Sequence, residues 1–476
     1  MSSSIPSLNR RSLLAQSLSA AGVLTLAPVH ALCATALLVA NVTQLYSVEV
    51  ARIEAPTSTP AVAAAVRSWP GKVAVGGGRY SMGGQVAVSG GLHLDMRSMR
   101  SLVWLRAADR VARVQAGMRW RDLQDLLEPS NLAVTTMQSY ANFTIGGSVS
   151  VNAHGRYVGH GPVGNSVRAL QLVLADGSVV EADRERNSDV FRAAIGGYGA
   201  VGVITEVELD LADNLRIERV VTELSIDDYV RYFEREVLGG DASVLHNADL
   251  LPPHFDRPVC VTWRKSSKPL TDGRRLTPRN QDYATERKML WAVTEVPGAS
   301  RLRKSVVHPI QMAHAAVKWL NCEASLDVAE LEPRSRRETT YVLQEFFVPK
   351  RGFAPFAKEL AAALRRHQVE ALNISIRHSP ADALSLLPWA KEDVFSFVLY
   401  FKQRTHAQAR DTVGRWTREL IDLAIGHGGR YYLPYQLHAT AEQFSRAYPE
   451  ALQLRRVKDK LDPSGKFTNQ LWARYL

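Results

Sequence analysis

The spacing of apolar positions predicts a first part of the chain in which short strands and helices are mixed. Alternation of apolar and polar residues predicts strands at Leu92–Met96 and Val111–Ala116. Helical spacing predicts helices at Thr59–Ser68, Trp120–Leu127 and Ser188–Ala194. With no internal repeat visible, this part reads as α+β up to about residue 215.

A hairpin and a buried strand complete the first part. Val167–Leu174 and Val179–Ala182 flank Asp176-Gly177, and glycine accepts the positive φ that tight hairpin turns require. The apolar stretch Gly202–Leu211 follows a glycine turn and predicts another strand.

The second part has longer elements of both kinds. Its predicted helices are Ile226–Val237, Phe353–His367 and His406–Ile425, with Thr440–Ala447 and Pro449–Lys460 near the end. Its predicted strands are Tyr341–Val348, Leu372–Arg377 and Val394–Lys402. The prediction is therefore a second α+β region with an antiparallel sheet.

One glycine run follows a short apolar strand. Consecutive glycines let backbone N–H groups approach an anion such as a diphosphate closely. The run lacks the Gly-Lys-Ser/Thr ending of a P-loop, and it does not open a helix as a dinucleotide fingerprint does. Taken alone, it is equally typical of a simple turn. Its residues are Gly76, Gly77, Gly78, Arg79, Tyr80 and Ser81.

Two further glycine segments lie downstream. Residues 142–155 combine small residues with an imidazole, His154, and small residues permit flat contact with a planar ring system. An isolated histidine of this kind is more often a satisfied structural residue. Residues 196–207 form a glycine turn that runs into a buried strand.

The three segments in this order resemble the FAD-binding domain of the vanillyl-alcohol oxidase and p-cresol methylhydroxylase (PCMH) superfamily. The likeness covers about residues 55–215 and resumes in the tail from Tyr448 to Phe467. Within the superfamily the chain looks most like the sugar-lactone and alditol oxidases and the decaprenylphosphoryl-ribose oxidases. The resemblance implies a two-subdomain PCMH-type FAD-binding domain plus an α+β cap, or substrate, domain with an antiparallel sheet.

The resemblance also implies a division of the chain and a set of cofactor contacts. The expected FAD-binding domain is 45–215, the cap domain 216–430, and 431–476 a segment that returns to the FAD domain. Gly76 to Ser81 would hold the pyrophosphate, and the backbone near Val203 and Ile204 would meet the adenine. The residues expected to line the flavin are Gly146, Gly147, Ser148, Asn152, His154 and Gly155.

The attachment of FAD is predicted to be non-covalent. Many relatives bind FAD covalently through a histidine directly after the glycine run, and Arg79 stands at that position here. No cysteine lies in the second glycine segment that could replace it.

Three residues are expected to carry catalysis, and the resemblance implies their roles. His154 resembles an active-site histidine, and Arg377 matches an arginine over the flavin that would stabilise negative charge on the reduced ring or an alkoxide. Tyr435 replaces a catalytic-site lysine, which places a ribose-phosphate substrate in doubt. Gln344 and Glu345 are further candidates, and alternation allows at most one of them to face the site.

The implied activity is FAD-dependent oxidation of a CH–OH group of a sugar, polyol, sugar lactone or lipid-linked sugar, with oxygen or a quinone as electron acceptor. Two alternatives stay open at this point. One is a flavin dehydrogenase or reductase acting on another small alcohol or alkene. The other is a flavin-binding accessory protein without turnover.

Composition and charge restrict the possible classes of protein and of binding partner. The 476 residues are 46% hydrophobic and 22% charged, which is typical of a globular protein, and three distant cysteines exclude a disulfide scaffold or a cysteine-rich metal site. No metal is expected. Of the net charge of +11, residues 257–304 contribute +8, from twelve basic and four acidic residues. We interpret this segment as a long excursion or cover in the cap region, beside the substrate entrance, that contacts an anionic membrane surface or a phosphorylated substrate. The alternative is a solvated mobile loop. We expect no nucleic-acid partner, because the charge is local.

The sequence of the amino terminus predicts that the protein is exported. Arg10 and Arg11 precede an uncharged stretch from Ser12 to Ala40, which is typical of a twin-arginine signal or a membrane segment over residues 1–40. The expected location is therefore periplasmic or membrane-associated, with the cytoplasm as the alternative.

Overall fold

The structure, a computed structural model, describes residues 36–283, 316–331, 333 and 335–476. The strands, β1 to β19 in chain order, are Leu37–Ala40, Ser47–Val50, Arg52–Glu54, Val73–Gly76, Leu92–Asp95, Leu102–Arg106, Val111–Gln115, Leu132–Val134, Val167–Val173, Val179–Asp183, Val203–Asp213, Arg216–Glu223, Ser243–Leu250, Val259–Lys265, Val317–Trp319, Thr339–Pro349, Ala371–Ser379, Val394–Arg404 and Arg430–Tyr431. The α-helices, α1 to α11, are Thr59–Ser68, Trp120–Leu127, Ile145–Ser150, Ser188–Ala194, Ile226–Tyr232, Leu320–Ala324, Phe353–Arg366, Ala407–Gly426, Ala441–Ala447, Ala451–Leu461 and Gln470–Tyr475.

The first part of the chain forms two sheets of different kinds. Strands β3, β5 and β4 make a small parallel sheet, and α1 packs its buried face, including Val62 and Val66, into the core beside it. Strands β10, β9, β11, β7 and β6 make an antiparallel sheet, to which β8 adds through β11. This arrangement agrees with the predicted two-subdomain α+β fold. Helices α1, α2 and α4 have the bounds predicted from periodicity.

The second part is built on one antiparallel sheet of order β15-β12-β14-β13-β17-β18-β16-β19. Its back is covered by helices α5 and α7, where Phe353 and Phe356 pack against Phe395 and Phe397. Because this face is sealed by aromatic side chains, the opposite face is the one free to form a site.

The basic segment begins as part of this sheet, which corrects the prediction of an excursion there. Residues Val259–Lys265 form β14, which pairs with β12 on one side and β13 on the other. Both faces of this strand are covered, since Val259, Cys260, Thr262 and Trp263 are all buried, as expected of an interior strand. The prediction for residues 284–304 falls outside the described residues.

The chain end lies beside the first glycine run. The Val73 N–H donates to Lys466 O at 2.8 Å, and the Thr468 N–H donates to Val73 O at 3.1 Å. These bonds hold residues 466–468 against β4. The predicted signal residues 1–35 lie outside the described residues, and within the described ones no helix is both long and apolar enough to cross a bilayer.

Candidate functional site

A cavity of about 470 Å³ lies between the first part of the chain and the open face of the cap sheet. This volume falls in the range of small-molecule and cofactor sites, about 300–1,000 Å³. Two surfaces enclose it. We name the first the glycine wall, formed by residues 77–81 and 146–148. We name the second the cap wall, formed by Asp249, Glu345, Ser375 and Arg377.

The glycine wall exists because two loops approach more closely than side chains would allow. A Cβ on Gly77 would lie 2.1 Å from Thr144 Oγ1, and one on Gly146 would lie 2.6 Å from Ala116 Cβ. The Gly78 N–H donates to Thr144 Oγ1 at 3.3 Å, which ties the first loop to the residue that begins α3. The wall therefore presents mainly backbone, as a bound diphosphate and a flat ring require.

Arg79 turns the first loop in a left-handed conformation, with φ of 60°. Its Nη2 lies 3.0 Å from Asp95 Oδ2 and 3.0 Å from His93 Nε2. The ring of His93 is buried under Gly76, and its Nδ1 lies 2.9 Å from Val86 O. Burial and the adjacent Arg79 lower the pKa of His93 to about 4, so the imidazole is neutral at pH 7. In the neutral ring, Nδ1–H donates a hydrogen bond to Val86 O. Nε2 then accepts a hydrogen bond from Arg79 Nη2.

The cap wall is a row of side chains across four antiparallel strands. Register pairs Asp249 with Ser375, Ser375 with Val398, and Val398 with Glu345. Since residues paired across a sheet point to the same face, the row lines the cavity together. Arg377 lies two residues further along β17 and shares that face.

Glu345 is the centre of the polar contacts. Its Oε1 lies 2.6 Å from His154 Nε2, and its Oε2 accepts from the Tyr435 hydroxyl at 3.1 Å. Burial raises the pKa of Glu345, but His154, Arg377 and the Tyr435 hydroxyl outweigh burial and hold the pKa below its ordinary value. Glu345 is thus a buried carboxylate that stays charged at neutral pH.

The groups around Glu345 are fixed as donors. Burial raises the pKa of Tyr435 well above its ordinary value, so the phenol keeps its proton. Burial lowers the pKa of Arg377, yet a guanidinium remains protonated in proteins. The ring of His154 packs on Trp389, with centroids 4.8 Å apart, and on Phe347.

Three nitrogens at the site have no hydrogen-bond partner among the described residues. They are Arg79 Nε, His154 Nδ1 and Arg377 Nε, and all three are buried. Buried polar groups in folded proteins are nearly always satisfied, so these atoms favour a ligand that completes them. Together with the glycine wall, they fit a bound FAD and its substrate.

Asp249 is a second deep carboxylate on the cap wall. Asn247 Nδ2 and Asn373 Nδ2 donate to it at 3.2 and 3.3 Å. Burial raises its pKa, opposed by Ser375 and Arg377. Asp249 was not predicted, because the strand Ser243–Leu250 was missed. The alternation from His246 to Leu250 is the signal that would have revealed it.

Most of the predicted site residues line the cavity. They are Gly77, Gly78, Arg79, Tyr80, Ser81, Gly146, Gly147, Ser148, His154, Ile204, Arg377 and Tyr435. The hydroxyl of Ser148 is occupied, since it accepts from Trp120 Nε1 at 2.9 Å and bonds Gln138. Of the pair Gln344 and Glu345, the structure turns Glu345 to the cavity, in line with the alternation argument.

Four predicted cofactor contacts do not line the cavity. Gly76 faces the ring of His93, since a Cβ there would lie 2.4 Å from His93 Cε1. Val203 is fully buried in the core beside β4, because side chains alternate along β11 and its neighbour Ile204 faces the cavity.

The other two are Asn152 and Gly155, which shape the turn after α3. Asn152 has a φ of 47°, donates from Nδ2 to Asp382 at 2.8 Å and accepts from the Gly164 N–H at 2.9 Å. A Cβ on Gly155 would lie 1.9 Å from Met137 O, so this glycine allows a close backbone approach. Both residues position His154 rather than contact the cavity.

Comparison with known proteins matches the two parts of the chain to two families. Residues 50–183 match the family described as FAD binding domain, and residues 251–475 match the D-arabinono-1,4-lactone oxidase family. L-gulonolactone oxidase of Bos taurus is 24% identical over 86% of this chain and 90% of its own length. Alditol oxidase of a Streptomyces species is 28% identical over 76% of this chain and 80% of its own. The chain is therefore an FAD-dependent oxidoreductase with a PCMH-type FAD-binding domain, related to the sugar-lactone and alditol oxidases.

Proposed function

We propose that the protein oxidises a CH–OH group of a neutral polyhydroxylated compound, a sugar, an alditol or a sugar lactone. The observation that carries this is the convergence of His154, Glu345, Tyr435 and Arg377 on one cavity that the glycine wall closes. The names of the related lactone and alditol oxidases point to the same class of substrate.

The charge of the cap wall favours a neutral substrate. Asp249 and Glu345 set two carboxylates against the single guanidinium of Arg377. Three other arginines line the cavity away from the cap wall: Arg79 pairs with Asp95, Arg156 pairs with Glu323, and Arg336 donates to Thr340 Oγ1. At the cap wall itself a phosphate-bearing lipid-linked sugar would meet net negative charge, and like charges in a buried site repel strongly. Carboxylates, amides and hydroxyls in one row instead suit hydrogen bonds to sugar hydroxyls.

The hydroxyl proton of the substrate is taken by the pair of His154 and Glu345. We assign the base to His154 Nδ1: in the neutral ring whose Nε2–H donates to Glu345, Nδ1 carries the lone pair. Glu345 orients the ring and stabilises the imidazolium, Arg377 stabilises the negative charge that develops on the substrate oxygen, and Tyr435 holds Glu345 in place. FAD, when bound, supplies the acceptor for the hydride that leaves the carbon.

We infer that FAD is held without a covalent bond. Arg79 occupies the position of the linking histidine of many relatives, and its guanidinium is engaged with Asp95 and His93. Precipitation of the purified protein in acid should leave the yellow colour in the supernatant. Colour that stays with the pellet would contradict this proposal.

The substrate test is bleaching of the flavin absorbance under anaerobic conditions. Alditols, aldonolactones and prenyl-phosphoryl sugars form the panel, and we expect bleaching by members of the first two groups. Bleaching by the prenyl-phosphoryl sugar alone would contradict the neutral-substrate proposal. No bleaching by any alcohol would favour an accessory flavin protein without turnover.

The electron acceptor and the location are part of the same proposal. We expect oxygen or a quinone to reoxidise the bleached protein, and export through the twin-arginine signal of residues 1–40, with membrane contact through residues 257–304. In the described part of that segment, Arg257, Lys268 and Arg279 already pair with carboxylates. Membrane contact therefore depends on the other basic residues of the segment. Fractionation of cells, with an Arg10→Lys/Arg11→Lys variant as control, tests the export: the variant should stay in the cytoplasm.

A further inference from the structure

A second cleft, of about 1,000 Å³, lies on another side of the chain and shares no lining residue with the cavity. It is bounded by residues 45–49, by the first half of α8, and by α11 at the chain end. Residues 437–438 lie at its inner side, only two positions beyond Tyr435 of the catalytic cavity. Nothing in the proposed oxidation uses this cleft.

Four arginines surround the second cleft. Arg410, Arg415 and Arg418 line the cleft from α8, and Arg474 lines it from α11. The acidic residues of the lining are Glu49 and Asp411, which leaves two positive charges in excess.

These guanidinium groups are bonded only to neutral acceptors among the described residues. Arg410 donates to Leu45 O at 3.2 Å, and Arg415 donates to Thr412 Oγ1 at 3.0 Å. Arg418 and Arg474 donate to the carbonyls of His438 and Ala439, at 3.4 and 3.1 Å. No ion pair to a carboxylate forms at any of the four within the described chain.

The inner end of the cleft is also open and polar. A Cβ on Gly414 would lie 3.1 Å from His438 Nδ1 and 3.3 Å from Arg418 Nη1, so glycine here keeps the floor free of side-chain atoms. His438 Nε2 is buried without a partner among the described residues. Burial and the nearby Arg418 and Arg474 lower the pKa of His438 to about 4, so the ring is neutral and can donate or accept a hydrogen bond.

We propose that the second cleft binds a small molecule that carries a diphosphate or a comparable compact polyanion. Planar guanidinium groups bind phosphate oxygens in bidentate geometry, and four of them around one concavity match several oxygens at once. A concave cleft with its polar floor favours a small molecule over the flat surface of an anionic bilayer. The inference does not depend on the substrate of the proposed oxidation.

The test is calorimetric titration of the FAD-loaded protein with inorganic pyrophosphate at low ionic strength, where screening is weak. Saturation with FAD keeps pyrophosphate out of the glycine wall. We expect binding by the wild type and a loss of affinity of about tenfold or more in the Arg415→Ala/Arg474→Ala variant, because charged hydrogen bonds are lost. Both side chains are exposed and bond neutral acceptors, so the fold should persist, which the melting temperature checks.

Arg455→Ala is the matched control, since Arg455 is exposed on the nearby helix α10 and does not line the cleft. It should bind pyrophosphate as the wild type does. Absence of binding by the wild type, or equal binding by the double variant, would overturn the proposal. Sedimentation with phosphatidylglycerol vesicles is the second arm: if the double variant loses vesicle binding while the wild type never binds pyrophosphate, the cleft is a membrane contact and the proposal is wrong.

Discussion

The glycine wall and the cap wall face the same cavity but are built from opposite materials. Backbone makes the first, and a Cβ added at Gly77 or Gly146 would overlap a neighbouring atom. Side chains make the second, where Asp249, Glu345 and Arg377 project from separate strands. A backbone surface can hold the part of a ligand that never changes, whereas a side-chain surface can be altered one residue at a time. Cofactor binding and substrate choice therefore belong to different walls.

The largest effect should come from filling the glycine wall. Gly77→Ala places a Cβ 2.1 Å from Thr144 Oγ1, so the loop has to shift at a cost of about 1–3 kcal/mol. We expect FAD affinity to fall by about tenfold or more, measured as bound flavin per protein and by fluorescence titration.

Two variants sharpen this prediction. Gly426→Ala is the control, because a Cβ there meets nothing within 4 Å, and it should keep its FAD. Adding Thr144→Ala to Gly77→Ala removes the overlapping oxygen and should restore part of the affinity. Full FAD content in Gly77→Ala would show that the wall is not built as we describe.

The next effect should appear at the cap wall and leave FAD binding intact. Glu345→Gln keeps the shape but removes the charge that orients His154, so kcat should fall by about 100-fold. The measurement is kcat by steady-state kinetics beside bound-flavin content. Tyr435→Phe, which removes only the hydroxyl donor, should lower kcat less. A loss of FAD in Glu345→Gln with an unchanged kcat per flavin would reverse the assignment of the two walls.

A smaller effect concerns the stability of the glycine wall in acid. His93 has a pKa of about 4 when folded and about 6.5 when unfolded, so the unfolded chain binds more protons between these values. Stability contributed by neutral His93 is present above pH 6.5 and is lost as the pH falls towards 4. The loss from pH 7 to pH 5 is about 2 kcal/mol.

Chemical unfolding of wild type and His93→Gln at both pH values checks this. The variant should lose less stability on acidification than the wild type does, because it carries no titrating ring at this position. His254→Gln, at an exposed position, is the control and should follow the wild type. Equal pH dependence in His93→Gln and wild type would contradict the prediction.

The smallest effect should separate binding from stability within the cap wall. Burial raises the pKa of Asp249, so its charged form disfavours the folded state at neutral pH. Asp249→Asn should therefore raise the melting temperature slightly while it raises KM by about three- to tenfold. A lower melting temperature with unchanged KM would show that Asp249 serves the fold rather than the substrate.

The sequence predicts the glycine wall more completely than the cap wall. Glycine runs and helix periodicity are local signals, so the glycine wall and the bounds of α1, α2 and α4 followed from the sequence. Asn152 and Gly155 hold the turn after α3 and do not line the cavity. The sequence does not separate the two roles, because small residues give the same signal whether they contact a ligand or hold a bend. The strand Val259–Lys265 was assigned to an excursion, since burial on both faces leaves it no apolar–polar alternation and many basic residues follow it.

The sequence by itself determined which residues share a face of a strand, because side chains alternate along extended backbone. Alternation implies that only one of Gln344 and Glu345 can face the site, and it assigns Arg377 to one face of β17. Only the tertiary structure decided which strands lie side by side and in what register. That register aligns Asp249, Ser375 and Glu345 in one row and sets Glu345 against His154. Register depends on long-range pairing, and a slip of one residue would turn every side chain of the row to the opposite face.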